Sequence, residues 1–153
     1  MHAKQRGTMQ GRAAAGLGFT LIEVMVVVVV LGMMASFVAP NVFRQVGHAK
    51  EQSGRSQIEM LGAALDSYRL DNDTYPAGSQ GLEALWREPF GEPSPRDWRG
   101  PYLRKEVPLD PWGNAYVYRY PGVTNPWSYD LSSYGADGRE GGTGENSDLT
   151  SWD

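Results

Sequence analysis

Glu23 carries the sharpest chemical signal in this chain. It is the one carboxylate in an apolar run, residues 19–39, otherwise interrupted only by Thr20, Gly32 and Ser36. A buried acid in a membrane helix costs about 2.5–3.5 kcal/mol on insertion scales, so its presence invites a functional reading. Its natural partner is a positive charge, and the run contains no Lys or Arg. Cleavage between Gly18 and Phe19 would create one, a new α-amine one helical turn from Glu23. In lipid such a pair gains strongly, because low dielectric leaves the attraction unscreened. The plainer reading is an acid tolerated near the interface, since four residues of helix are only about 6 Å deep.

The second chemical cluster lies at the other end. Residues 135–153 combine turn-permitting glycines with Asp137, Glu140, Glu145, Asn146 and Asp148, all hard oxygen donors. Calcium takes six to eight such oxygens from flexible loops, carbonyls included. The spacing is not that of an EF-hand, and by composition alone the stretch reads as a disordered acidic tail. Leu149 and Trp152 argue the other way, because they give the chain end something to bury.

Nothing else suggests catalysis. His2 and His48 are the two histidines, far apart in sequence, and His48 reads as a solvated helix residue. Asp71 and Asp73 suit the chemistry of a helix end, and Ser79 has no histidine nearby. No nucleophile–base arrangement emerges, so the chain is not expected to be an enzyme. Trp86, Trp98, Trp112, Trp127 and Trp152 read as core and interface anchors rather than a sugar-binding surface.

These groups need a scaffold, and 153 residues allow one membrane segment plus one small domain of about 100 residues. All 18 acidic residues follow Gly18, whereas residues 1–18 hold Lys4, Arg6 and Arg12 and no acid. A basic flank before an apolar span stays on the cytoplasmic side, so the remainder is exported. An acidic exported part does not suit nucleic acid, which wants a basic surface. With no cysteine there is no disulfide to hold a small domain, and a metal is one substitute. An ordinary secretory signal has its apolar region before the cut, whereas here the cut would precede it and leave the span on the mature chain.

The apolar run is about 31 Å as a helix, enough to cross a bilayer core. Gly32 and Ser36 have a small-xxx-small spacing that favours close helix approach. Pro40 lacks a donor and marks a soft point. Beyond it Ile58, Leu61, Leu65 and Tyr68 keep helical periodicity, predicting one helix from Phe19 to about Leu70, ended by Asp71-Asn72-Asp73 and Tyr75-Pro76. A short helix is expected over 80–87, with Ser79 as N-cap and Glu83 completing the cap. Strands are expected over 115–120 and 127–133, and a third around 102–104. The class is α+β, a small antiparallel sheet covered by the second half of the long helix.

At Gly18-Phe19-Thr20-Leu21-Ile22-Glu23 the chain resembles the cleavage and methylation signal of type IV pilins and pseudopilins, and the similarity continues through Pro40-Asn41. Tyr75-Pro76, Gln80-Gly81-Leu82-Glu83-Ala84-Leu85, Trp98-Arg99-Gly100-Pro101-Tyr102-Leu103, Asp110-Pro111-Trp112-Gly113-Asn114 and Gly135-Ala136-Asp137-Gly138 resemble the major pseudopilin branch of type II secretion. The missing cysteines fit that branch, since many type IV pilins close a C-terminal loop with a disulfide.

The resemblance implies a leader over 1–18, a transmembrane and assembly helix over 19–40, and a periplasmic head over 41–153. A prepilin peptidase would cut after Gly18 and methylate the amine of Phe19, and Glu23 would neutralise that amine within or between subunits. The protein would sit in the inner membrane, single-pass, until its copies stack into a periplasmic homopolymer, a pseudopilus that drives folded proteins through the outer membrane. Its partners would be itself, minor pseudopilins and the inner-membrane assembly platform. The C-terminal loop would hold a structural calcium through the carbonyls of Tyr134 and Glu145 and the side chains of Asp137, Ser147 and Asp148. Ser147 departs from the second acid frequent there, a gap that Asn146 or a water can fill. The alternatives are a type IV or competence pilin subunit and, in a different class, a monomeric anchored binding module, which would have no use for Glu23.

Overall fold

A computed structural model describes residues 18–152, with the side chains of residues 37–43 outside the description. Helix α1 runs Leu21–Asn72, and three short strands follow: β1 (Val117–Arg119), β2 (Asp130–Ser133) and β3 (Leu149–Thr150). The chain divides into two compact units between Asn41 and Val42.

In the first unit every described side chain, residues 18–36, is exposed. The Ser36 hydroxyl donates to the carbonyl of Gly32 at 3.0 Å, so the two small residues share one helical face. Among the described residues no helix is long and apolar enough to cross a membrane.

In the second unit Ile58, Leu61, Ala64, Leu65 and Tyr68 are buried, as their spacing demands. They meet Tyr75, Leu82, Leu85, Leu103, Tyr116, Leu131 and Leu149 in one core. The helix stops where Asp73 takes a positive φ of 62° and its N–H closes onto the Arg69 carbonyl at 2.8 Å. The sheet order is β1-β2-β3, antiparallel throughout, with Val117 opposite Ser132 and Ser133 opposite Leu149. Burial pushes the Tyr129 hydroxyl up to about 12, with Asp66 and Tyr75 adding to it, so it stays neutral.

Five local expectations need correction. The helix expected over 80–87 is a single 3₁₀ turn, Gly81–Leu85, because Gly81 enters at φ 60°. Ser79 does not cap it; the Gln80 side chain instead accepts the Ala77 N–H at 2.9 Å. No strand forms at 102–104, where the N–H groups of Tyr102 and Leu103 both turn onto the Leu85 carbonyl, at 2.7 and 3.0 Å. The third strand comes from the acidic tail, which Leu149 anchors in the core. Trp127 is not a core anchor but almost fully exposed, in a turn closed by the Ser128 N–H on the Asn125 carbonyl at 2.9 Å.

That turn joins β1 to β2 and is organised by Asp130. Its buried carboxylate accepts the N–H groups of Val123, Thr124 and Asn125 at 2.6, 2.8 and 3.0 Å. Burial alone would raise its pKa, but the Thr124, Asn125 and Val123 N–H groups and the Asn125 amide outweigh it and lower it below the usual carboxylate range. A lowered folded pKa means stability present above the unfolded value and lost as pH falls through the folded one. Asp130→Asn should therefore cost about 2 kcal/mol at neutral pH. The difference from wild type should shrink below about pH 4, measured by urea unfolding across pH; a pH-independent difference would remove the charge from the account.

Candidate functional site

Two constellations bear on function, one in each unit. In the first, Gly18 and Phe19 precede the helix and are exposed. Thr20 opens the helix: its hydroxyl accepts the Glu23 N–H at 3.3 Å, and its carbonyl takes the N–H groups of Glu23 and Val24 at 3.1 and 3.2 Å. Thr20-x-x-Glu23 is thus one side of a capping box, and an acid in the first turn also suits the positive end of the helix dipole. Sequence reasoning missed this, although the T-x-x-E pattern was there to find. The Glu23 residue is exposed in the first turn of the helix, and Phe19, where the expected amine would form, lies just before that turn. Residues 1–17, which hold the expected leader, and the side chain of Pro40 lie outside the described residues.

In the second, the loop after β2 folds back on itself. Gly135 takes φ 64° and is buried; a Cβ there would lie 2.8 Å from the Glu145 carbonyl oxygen and 2.9 Å from that of Ser147. The Ala136 N–H donates to the Glu145 carbonyl at 2.9 Å, and the Gly141 N–H to Asp148 Oδ2 at 2.9 Å. Asp137 closes the tip, accepting the Arg139 N–H at 3.1 Å. The segment containing Tyr134 is thereby brought beside Glu145 and Ser147, while the Asp137 carboxylate is turned to the exposed tip. The loop rests on α1 where Gly47 leaves room for the Glu145 carboxylate and Gly54 for Leu149.

The donor set suits a hard cation. Asp148 Oδ1 is buried with no hydrogen-bond partner, which is costly for a carboxylate oxygen unless something positive meets it. Carbonyl oxygens keep a second lone pair after accepting one N–H, so the Glu145 carbonyl retains a free one. Among the described residues no group of three or more His, Cys, Asp or Glu side chains stands together. The expected set supplies only two side-chain carboxylates, Asp137 and Asp148, with carbonyls and a hydroxyl as the rest. His48 is exposed, with Nδ1 4.0 Å from a Glu51 oxygen.

The family model of type II secretion system (T2SS) protein G matches residues 41–152, and that of the prokaryotic N-terminal methylation motif matches residues 17–39. The chain is 48% identical over 136 residues to type II secretion system core protein G of Pseudomonas aeruginosa, covering 89% of this chain and 94% of that one. It is 49% identical over 136 residues to its counterpart in Vibrio cholerae, covering 88% and 90%. A crystal structure of the major pseudopilin from the type 2 secretion system of enterohaemorrhagic Escherichia coli superposes with a TM-score of 0.62 at 37% identity. It covers 74% of this chain and 95% of that chain.

The backbone crowding at Gly135 has a measurable consequence. Gly135→Ala should open the loop, because strain of about 1–3 kcal/mol at positive φ adds to contacts that only backbone movement relieves. Gly141→Ala, also at positive φ but facing open space, should carry the strain alone. Limited proteolysis between residues 136 and 147 should be much faster in the first variant; equal rates would mean the loop is not closed at Gly135.

Proposed function

The chain belongs to the type II secretion system protein G family, and from that membership we propose how its parts serve a subunit of the pseudopilus. That it is a pseudopilus subunit of type II secretion follows from the family. The finer steps are our reading. A prepilin peptidase cuts after Gly18 and methylates the new amine of Phe19. The segment 19–39 crosses the inner membrane with its amino end in the cytoplasm, and the head from 41 onward stands in the periplasm. Copies leave the bilayer and stack their amino-terminal helices into the filament, with minor pseudopilins and the inner-membrane assembly platform as further partners. This role gives no residue a catalytic task.

The observation that supports this best is the apolar surface of residues 18–36, exposed on every side. Such a surface needs lipid or other protein around it. Within it Glu23 would face the amine of Phe19 in the same subunit or a neighbour. In lipid a lone acid is expensive and a paired one is not, so pairing gives each incoming subunit one favoured axial position. Gly32 and Ser36 let helices approach closely, and Pro40 gives the backbone a place to loosen as surroundings change from lipid to protein.

For the head we propose a structural calcium held by the carbonyls of Tyr134 and Glu145 and the side chains of Asp137, Ser147 and Asp148. Its charge would offset the buried Asp148 oxygen and hold together a loop that lacks a disulfide.

Glu23→Ala should be membrane-inserted and processed, with an intact mass that begins at Phe19 plus one methyl group, yet should not assemble. Filaments at wild-type yield would refute the pairing account, and an uncut chain would refute the processing. For the head, the full chain in detergent at calcium a hundredfold above its Kd should gain about 2.7 kcal/mol over chelator. That is a rise in Tm of roughly 10–20 °C; an unchanged Tm would remove calcium.

A further inference from the structure

We propose that Asn114, with Asp110 and Ser133 behind it, is a positioning residue that aims the loop's two carbonyl ligands, those of Tyr134 and Glu145. The proposal rests on the calcium reading above and adds residues that lie outside its ligand set.

The argument starts at the turn 110–114. Asp110 is buried, and its Oδ1 accepts the N–H groups of Trp112 at 3.0 Å and Asn114 at 2.7 Å. The Asp110 N–H meets the Asn114 carbonyl at 2.8 Å, and Gly113 at φ 95° completes a closed turn. A turn needs no more than that. Yet the other carboxylate oxygen, Oδ2, accepts the hydroxyl of Ser133 on β2, which is fully buried.

Because the Ser133 hydroxyl hydrogen is committed to Asp110, its oxygen faces the chain as an acceptor, and it takes the Gly135 N–H at 3.3 Å. A trans peptide is planar, with N–H and C=O pointing opposite ways. Holding the Gly135 N–H therefore aims the Tyr134 carbonyl in the opposite direction. Asn114 acts on the next peptide: its Nδ2 donates to the Gly135 carbonyl at 2.8 Å. The far side of that peptide is the Ala136 N–H, which holds the Glu145 carbonyl at 2.9 Å. One turn thus orients two successive peptides, and through them both expected carbonyl ligands. Asn114 also lies against the loop tip, where a Cβ on Gly138 would be 3.3 Å from its Oδ1.

Groups that orient metal ligands typically change affinity 10–100-fold when removed, while the fold survives. The test is Asn114→Ala in the full chain in detergent, because Asn114 is only half-buried; Asn114→Asp, which keeps the shape and loses the donor, is the second variant. Calcium Kd is measured by titration calorimetry, and Tm in chelator and in saturating calcium. The expected result is a Kd weakened 10–100-fold in both variants, with Tm in chelator within a few degrees of wild type. An unchanged Kd with Tm lowered equally in chelator and calcium would make Asn114 structural only and overturn the proposal, as would failure of both variants to fold. A wild-type chain that binds no calcium would overturn the calcium reading itself, and this proposal with it.

Discussion

The head depends on one burial event, the covering of a very small sheet by one face of helix α1. Strands of three, four and two residues cannot bury an apolar face by themselves. Ile58, Leu61, Leu65 and Tyr68 supply the missing layer, and Leu131 and Leu149 complete it from the sheet side. Fully burying a Leu or Phe-sized side chain is worth about 1.5–3 kcal/mol, so this patch outweighs any single polar contact in the molecule. The long irregular stretch between helix and sheet adds to it by clamping. Asn72 bonds to the Tyr68 carbonyl and the Asp97 N–H, and Trp98 donates to the Ala84 carbonyl at 2.9 Å. These bonds let backbone without regular structure lie against a core and still satisfy its polar groups.

The same helix therefore answers to two environments in its two halves. Over residues 58–68 it is amphipathic, with polar residues such as Glu59, Asp66 and Ser67 outward. Over residues 21–31 it is apolar all round except for Glu23. A helix that is apolar on every side is stable only when surrounded, by lipid or by other helices. A tether would be satisfied by lipid alone. An acid four residues from the proposed cleavage point would make sense where a partner has to be selected, so Glu23 is the residue on which the polymer and anchored-module readings differ.

What the sequence made legible was whatever depends on period. The burial of Ile58, Leu61, Leu65 and Tyr68, the helix end at Asn72 and the strands around Val117 and Asp130 all follow from local spacing. What it concealed depends on contacts distant along the chain. Leu149–Thr150 is too short to read as a strand, and it becomes one only because β2 offers an open edge and Gly54 leaves room for Leu149. Residues 102–104 looked extended, but the Leu85 carbonyl captures their N–H groups first. Trp127 has the composition of an anchor and sits at a turn tip, because Asp130 organises the residues before it. At the functional sites, Thr20-x-x-Glu23 was readable from pattern, whereas the route from Asp110 through Ser133 to Gly135 crosses more than twenty residues and shows only in three dimensions.

The C-terminal loop brings these threads together. It is rich in glycine, short of apolar residues before Leu149 and without cysteine, so neither burial nor a covalent link closes it. Its internal bonds are few: a neutral one such as Ala136 to Glu145 is worth about 1 kcal/mol and one to a carboxylate such as Gly141 to Asp148 about 1.5–3 kcal/mol, against a backbone ordering cost of about 1–2 kcal/mol per residue. That balance does not favour closure by hydrogen bonding alone. A buried carboxylate oxygen with no partner makes it worse, and a divalent cation reverses the sign of that term. If the proposed calcium is bound, the turn at 110–114 would hold two peptides of the loop in the orientation the cation needs, and less ordering would have to be supplied on binding.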